Sequence, residues 1–476
     1  MKKLATLLLA AGMVFGAATG ASAIDFKAKG QWIMEFTGAD NTNFTEDGYG
    51  RDGKNDNFDA RQRVRLQLDA VASEALSGTV YFEMGDQVWG QAKSGGALGA
   101  DGKVVEVKQA YIDWIVPNTD LKLRMGLQGI KLPNFANGAS QILDDDMAGI
   151  TASYAFNENV AVTAFWARLY NDNGIAKKNA DGGYTWYNAN ENDNADMFAL
   201  LVPMTFDGVK VTPWVAYAAI GANTTNFKEL AETGPSLDWF NRGIETYKPK
   251  KANDVNPYYD FIAAGLTGEI TMADPFRFAW DFNYASLTTG DDYAKRQGWY
   301  GTILGEYKMD WGTPGLYAWY ASGEDGDHTN GSEQMPYFDP NGTDGYSNLA
   351  NSGNKYLAPN EALLGRSWQG TWGIGARVKD VSFLDGLKHT FRVNFIQGTN
   401  DKDGVRNLRS EKVYINNLST DESALEIGLS NSYKVYENLD FYTDFSYLAL
   451  WQDENLRKGV SQADAWNATA AFVYSF

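Results

Sequence analysis

Apolar and polar side chains alternate along many short segments of this sequence. In residues 120–129 (DLKLRMGLQG) the leucines occupy one set of alternate positions, and Lys122 and Arg124 occupy the other. Residues 275–285 (PFRFAWDFNYA) and 439–451 (LDFYTDFSYLALW) have the same two-residue period, with aromatic rings on the apolar face. A helical period would scatter the charges around a cylinder, whereas a strand points successive side chains to opposite faces. The pattern predicts β-strands with one apolar and one polar face.

Short and long connections alternate between these segments. Segments 116–120 and 156–160 are short turns, whereas 221–257 and 323–366 are long and rich in Asn, Asp and Gly, as solvated loops are. Short turns at one end and long loops at the other are typical of a transmembrane β-barrel. We predict an all-β fold, a single antiparallel barrel over residues 24–476 with about 18 strands, or 16 if one hairpin is misread. The predicted strands cover residues 24–36, 58–71, 76–89, 104–116, 120–129, 148–156, 160–170, 195–206, 209–220, 258–270, 275–287, 297–310, 314–322, 367–379, 387–398, 421–433, 438–451 and 464–476.

Two prolines conflict with this interpretation. Pro203 and Pro213 lie inside the eighth and ninth predicted strands. Proline cannot donate a ladder hydrogen bond, and a closed barrel has no free edge to accommodate it. Because both residues flank the turn at Asp207 and Gly208, we expect β-bulges close to the rim of the barrel.

The N-terminus has the layout of a bacterial secretory signal. Met1, Lys2 and Lys3 form a basic start, residues 4–15 are apolar, and residues 21–23 (ASA) form a small-residue cleavage site. We predict a cleaved signal peptide over residues 1–23. An uncleaved anchor is the weaker alternative, because the apolar run is too short to cross a bilayer.

The C-terminus distinguishes a membrane barrel from a soluble sandwich or propeller, which alternation alone does not. The chain ends in WNATAAFVYSF, with Phe472, Tyr474 and Phe476 on one face of the last strand. This ending resembles the signal that the outer-membrane assembly machinery recognises. We therefore predict the bacterial outer membrane as the location, with apolar faces toward lipid and polar faces toward a lumen. Tryptophans near strand ends are expected in the interfacial girdles, namely Trp32, Trp89, Trp114, Trp166, Trp280, Trp299 and Trp451.

The composition offers little material for catalysis or metal binding. The chain has no cysteine and only two histidines, His328 and His389, and its formal net charge is −19. Disulfides, thiolate metal sites and attraction to nucleic acid by bulk charge are therefore excluded. A secreted carbohydrate-binding protein or glycoside-cleaving enzyme remains the alternative from another class, although no pair of acids stands out. We expect no catalytic residue, no metal and no cofactor.

Basic residues alternate with apolar ones in residues 57–71 (NFDARQRVRLQLDAV). A lipid-facing arginine near the bilayer midplane would cost about 2–4 kcal/mol, so these side chains are expected to face a water-filled lumen. An inert, salt-bridged wall is the alternative. The predicted basic wall consists of Arg61, Arg63, Arg65, Lys122 and Arg124.

The segment at residues 130–148 follows the fifth predicted strand and differs from the other long loops. It contains three consecutive carboxylates, Asp144, Asp145 and Asp146, and apolar side chains that could hold it against the inner wall. Facing the basic wall, it would form a constriction with a transverse field, which selects solutes by charge and size. A solvated acidic turn or a loose divalent-cation site stays open, although three adjacent aspartates do not supply the oxygen array that calcium needs.

The signal, the opening IDFKAKGQWIMEF, the acidic loop after strand five and the aromatic terminus together resemble the outer-membrane homotrimeric porins of sulfate-reducing bacteria. The loop's ordinal position is similar to that of the constricting loop in general diffusion porins. The resemblance implies a homotrimer in contact with outer-membrane lipids, in which each barrel passes small hydrophilic solutes and ions. General diffusion porins have sixteen strands, so the count predicted here departs from theirs.

A substrate-selective channel for sugars or carboxylates is the alternative among channels. It would need an aromatic track or a dense basic ladder along the lumen, and Tyr442 and the arginines indicate either only weakly. For ion preference we expect a weak bias toward anions. Charges in the pore should outweigh the acidic loops, because screening acts within about 10 Å at ordinary salt.

Overall fold

The computed structural model describes most of the chain. The predicted signal peptide at residues 1–23 and His328 lie outside the described residues. The structure describes residues 24–41, 56–99, 102, 105–171, 176–178, 184–186, 194–221, 258–288, 295–327, 330–340, 345–351, 364, 368–403, 418–456 and 463–476.

The structure is a closed antiparallel barrel of 18 strands. The eighth strand is counted as one although it is interrupted once, and every strand pairs with its neighbours in chain order. The strands are β1 (Asp25–Asp40), β2 (Asp56–Ser73), β3 (Leu76–Val88), β4 (Val105–Ile115), β5 (Lys122–Lys131), β6 (Leu143–Ala155), β7 (Ala161–Asn171), β8 (Asn194–Leu201, continued by Met204–Phe206), β9 (Val209–Gly221), β10 (Tyr258–Ile270), β11 (Phe276–Thr288), β12 (Arg296–Tyr307), β13 (Thr313–Ala321), β14 (Thr371–Leu384), β15 (Leu387–Gly398), β16 (Ser423–Tyr436), β17 (Leu439–Trp451) and β18 (Ala465–Ser475).

Three short elements lie outside this ring of strands. Ala176–Lys178 and Tyr184–Trp186 form a hairpin, and Asp339–Pro340 pairs in parallel with the start of β6. Ala92–Ser94 is a single 3-10 turn. In the described part of the chain, no helix is long and apolar enough to cross a membrane.

The barrel closes between the first and last strands. β18 pairs with β1 from Gln31 to Asp40, and Gly30 and Phe476 exchange two backbone hydrogen bonds of 2.8 and 3.1 Å. Closure leaves no free strand edge, which is the condition for a sheet to lie in a bilayer. The prediction of an 18-stranded antiparallel barrel is confirmed, and the count of 16 is wrong.

The two prolines lie at one break in the sheet. Pro203 occupies the gap between the two parts of β8, and Pro213 in β9 lies opposite that gap. The Val202 N–H still donates to the Pro213 carbonyl at 3.0 Å, and the Ala161 N–H donates to the Pro203 carbonyl at 3.1 Å. The two positions that lack a backbone N–H donor therefore lie together, at one interruption of the hydrogen bonding between β8 and β9.

The outer face of the barrel exposes apolar side chains. In β11, Phe276, Phe278, Phe282 and Tyr284 are exposed while Ala279, Asp281 and Asn283 between them are buried. A soluble sandwich would bury such a face in its core, whereas a bilayer covers it with lipid. Among the tryptophans predicted for the girdles, Trp166 and Trp280 are half-buried and the others are exposed: Trp32, Trp89, Trp114, Trp299 and Trp451.

The inner face differs from one side of the barrel to the other. On β7 to β10 most inward positions are apolar and buried, with Thr212 and Thr267 as buried polar exceptions, which departs from the expectation that every inner face is polar and wet. They pack against chain segments inside the barrel, and Phe261 contacts Phe338 with ring centroids 4.6 Å apart. We call these inward residues the filled wall, and they include Ala167, Ala195, Met197, Ala218, Phe261 and Ala263.

Candidate functional site

Two segments of the chain lie inside the barrel and narrow its lumen. The first inward segment, residues 132–142, connects β5 to β6. The N–H groups of Phe135 and Ala136 each donate to the Asp281 carboxylate of β11 at 2.8 Å, and the Asn134 side chain donates at 3.0 Å. The segment therefore reaches from β5 and β6 to strands that are not their neighbours in the barrel.

The first inward segment is shorter than the predicted loop at 130–148. β5 continues to Lys131 and β6 begins at Leu143, because the strand pairing extends up to a hydrogen bond from the Leu132 N–H to the Leu143 carbonyl. Asp144, Asp145 and Asp146 accordingly lie in β6, opposite β5, rather than on the segment that crosses the lumen.

One carboxylate of the acidic triplet has partners on β4, across the intervening strand β5. The Asp146 carboxylate accepts hydrogen bonds from Lys108 at 2.5 Å and Gln109 at 2.6 Å, both on β4. Within the described residues, no group of three or more His, Asp or Glu side chains is arranged to hold a metal ion. The carboxylate of Asp146 is therefore engaged in the barrel wall.

The second inward segment follows β13 and comprises residues 330–340 and 345–351. Its Gly345 N–H donates to the Asn137 carbonyl of the first segment at 2.5 Å, and Tyr346 stacks on Tyr317 with centroids 3.9 Å apart. The N–H groups of Asn348 and Leu349 donate to Glu426 of β16. Sequence reasoning placed this segment in an external loop, 323–366.

The two segments and the facing wall enclose a central cavity of about 800 Å³. Its lining includes residues of β2, β11, β14 and β15, which are remote in sequence and meet only because the barrel closes. Among the described residues that line the cavity, Asp380 is the one carboxylate. We call its cations the basic belt, which consists of Arg63, Arg65, Arg277, Arg377, Lys379, Lys388 and Arg392.

The five residues of the predicted basic wall do not lie together in the structure. Arg63 and Arg65 line the central cavity, where Arg63 makes two hydrogen bonds to Asp86 and Arg65 donates to Glu83 at 2.6 Å. Arg61 is not among the cavity's lining residues and forms a 2.8 Å salt bridge with Asp59.

Lys122 and Arg124 line a second cavity of about 590 Å³ bounded by β3 to β7. The Arg124 guanidinium makes a two-point contact with Asp113, at 2.7 and 2.9 Å, and lies 4.0 Å over the ring of Tyr111. Of the five residues predicted as one basic wall, only two therefore belong to the central cavity.

Sequence reasoning missed most of the basic belt. Arg377 lies between Ala376 and Val378, and Arg392 lies between Phe391 and Val393. This is the same alternation of basic and apolar residues that identified Arg63. The signal was therefore present in β14 and β15, but which strands share a cavity depends on how the barrel closes.

The aromatic C-terminus lies against the first strand. Phe472 and Tyr474 are exposed on β18, and Tyr474 contacts Trp32 edge-on with centroids 6.3 Å apart. The terminal Phe476 ring packs where Gly30 has no side chain, since a Cβ there would lie 2.5 Å from the ring. The three aromatic residues thus occupy the seam that closes the barrel.

A buried carboxylate, that of Glu324, connects two loops close to the end of β13. Glu324 lies 3.7 Å from Arg296 and accepts a hydrogen bond from the Ser332 hydroxyl. Burial raises the pKa of Glu324, and the Arg296 charge opposes that shift. The Glu324 N–H also donates to Asn400, which joins this loop to the one after β15.

Comparison with known proteins supports a porin-like barrel. No protein-family model matches the sequence, and no curated protein matches it significantly. The structure is similar to that of OprD of Pseudomonas aeruginosa, with a TM-score of 0.53 and 13% identity over 96% of this chain and 97% of that one. It is similar to OccAB3 of Acinetobacter baumannii (TM-score 0.53, 11% identity, 95% and 100% covered) and to OccK3 (OpdO) of P. aeruginosa (0.52, 11%, 95% and 96%). At sequence identities of 11–13%, the similarity shows a shared fold.

Proposed function

We propose that this chain forms a water-filled channel in the bacterial outer membrane, through which small hydrophilic solutes and ions diffuse passively. The observation that carries the proposal is the central cavity inside a closed barrel, lined by the basic belt and a single carboxylate. The exposed apolar outer face fits lipid and weighs against a secreted carbohydrate-binding protein, because soluble proteins rarely leave so large an apolar surface uncovered. No catalytic role is part of the proposal.

The channel is expected to favour anions over cations. Charged rings at a constriction select by sign, and the belt places its cations on the cavity surface. The test is the current of the purified protein in a planar bilayer under a salt gradient. We expect stable conductance steps and a reversal potential that shows anions to be more permeant than cations. Insertion of the protein into the bilayer without current would contradict the channel function. A reversal potential that shows cations to be more permeant than anions would contradict the predicted anion preference.

A channel selective for small carboxylates is the second candidate. It is supported by the density of guanidinium groups, whose planar forks suit carboxylate oxygens. A sugar path is less supported, because Phe135 and Tyr442 are the only aromatic residues among the described residues that line the cavity. Liposome swelling separates the candidates: a selective channel admits a small dicarboxylate with saturable kinetics, whereas a general pore admits neutral sugars of the same size equally well.

Homotrimer formation is proposed from the resemblance to the porins of sulfate-reducing bacteria. Current steps that arrive in threes, and a crosslinked species of three chains in detergent, are the expected results. The assembly machinery is the proposed partner of Phe472, Tyr474 and Phe476. Deleting Phe476 should lower the amount of folded barrel in the membrane, which is measured by the mobility of unheated protein on a gel.

A further inference from the structure

Four residues lie side by side across adjacent strands of the barrel wall. Arg277 of β11 is opposite Glu306 of β12, which is opposite Gly315 of β13, which is opposite Arg377 of β14. Glu306 is buried, with 4% of its surface exposed, between the wall and the inward segments. A buried carboxylate requires cationic or hydrogen-bonding partners, and here three cations surround it.

Glu306 binds all three of these cations directly. Its Oε2 lies 2.9 Å from Arg277, and its Oε1 lies 2.9 Å from Arg377 and 2.7 Å from Lys379. The contact with Arg377 passes across β13 at Gly315. A Cβ at that position would lie 3.0 Å from the Glu306 Cγ, so glycine leaves the room that the carboxylate needs.

The same two arginines hold the inward segments. Arg277 donates through Nη2 to the Phe135 carbonyl of the first segment at 2.7 Å. Arg377 donates through Nη1 to the Gly345 carbonyl of the second segment at 2.7 Å. Each guanidinium uses one nitrogen for Glu306 and another for a segment, so its orientation is set from both sides.

We propose that Glu306 is a positioning residue that sets the aperture of the pore, by orienting the two arginines that hold both inward segments in place. The inference rests on the proposed channel function. Without the carboxylate, Arg277 keeps its 2.8 Å ion pair with Glu269, whereas Arg377 and Lys379 lose the carboxylate that they share and turn toward the cavity. The Gly345 carbonyl then keeps only the longer, 3.4 Å hydrogen bond from Arg392, and the donor at the Phe135 carbonyl is held by one carboxylate instead of two, so the segments move more freely in the lumen.

The test compares E306Q with E83Q in planar bilayers. Glu83 is a matched control, because it also pairs with belt arginines, Arg65 at 2.6 Å and Arg63 at 3.8 Å. In the described contacts, neither of those arginines donates to an inward segment. Both substitutions remove one negative charge near the cavity, so both should shift the reversal potential toward anions. Only E306Q should also raise the single-channel conductance and the open-channel current noise.

G315A separates geometry from charge, and it keeps the test decisive if E306Q fails to fold. The added methyl group displaces Glu306 without changing any charge, so conductance should rise while the reversal potential stays near that of the wild type. An unchanged conductance in G315A, or equal conductances in E306Q and E83Q, would make Glu306 an ordinary wall charge. The current of the unmodified protein in the same bilayers reports the channel function independently.

Discussion

The filled wall and the basic belt lie on different strands of the same barrel and follow the same strand period. At Ala195, Met197 and Ala263 the inward positions are small or apolar, and none has measurable exposure. At Arg377 and Arg392 the inward positions are cationic and border an open cavity. The inward segments bury the first region, whereas in the second they contact single arginines, such as Arg377 at the Gly345 carbonyl, and leave a cavity beside them.

The difference shows how a wide barrel is narrowed. Small side chains on the filled wall let Leu132, Ile142 and Phe338 approach closely and bury their apolar surface. Cations on the belt contact the segments only through hydrogen bonds to backbone carbonyls, because a cation buried without such partners is costly. Side chains of the wall therefore decide where the segments pack and where the solute path remains.

The largest effect is expected from a charge placed in the filled wall. A263D buries a carboxylate with no partner and should destabilise the barrel by about 3–5 kcal/mol. The matched variant T390D puts the same group into the basic belt's cavity, where Lys388 and Arg392 also lie, and should be tolerated. Thermal unfolding, followed by the mobility of unheated and heated protein on a gel, measures both. Equal stability of the two variants would contradict the distinction between the regions.

A smaller effect is expected when the anchor of the first inward segment is weakened. D281N replaces the charged acceptor of the Phe135 and Ala136 N–H groups, and hydrogen bonds to charged groups contribute roughly 1.5–3 kcal/mol each. The segment should loosen and the single-channel conductance should rise. D86N removes a wall carboxylate whose observed partner is Arg63, so it should leave the conductance unchanged. A conductance of D281N equal to that of D86N would mean that Asp281 does not hold the segment.

The smallest effect is expected from neutralising one cation of the belt. With the described residues Arg392 forms no salt bridge, and its guanidinium donates to Ser430 at 2.6 Å. R392Q should shift the reversal potential toward cations, and the shift should shrink in 1 M salt, where screening acts within about 3 Å. R124Q should shift it less, because Arg124 is paired with Asp113 in the other cavity. A larger shift from R124Q would place the selective charges outside the belt.

Local sequence patterns predicted most of the fold. The alternation around Arg63 predicted β2, and the short turns and aromatic terminus predicted a closed barrel of the observed strand number. Pairing between strands that follow each other in the chain is set by short turns, so it can be read locally. β8 and β9 were predicted close to their observed bounds, although Pro203 and Pro213 conflicted with a strand assignment there.

The site was predicted only in part. Arg63 and Arg65 were found because alternation alone identifies them, whereas Arg377 and Arg392 join them only through closure of the barrel. The triplet at Asp144 was assigned to the inward constriction loop, whereas the pairing of β6 with β5 extends far enough to place it in the barrel wall. The apolar side chains of residues 130–148 predicted one loop inside the barrel, whereas the second inward segment was placed in an external loop, because its packing involves a distant strand, with Tyr346 on Tyr317.

Water access to single cysteines tests the central claim most directly, and the chain has no native cysteine to interfere. T390C and A263C would be treated with a charged, water-soluble thiol reagent while the current of the folded channel is recorded. We predict that T390C reacts and loses current, and that A263C neither reacts nor changes. Rapid reaction at A263C together with protection at T390C would contradict the account, because the solute path would then run along the filled wall.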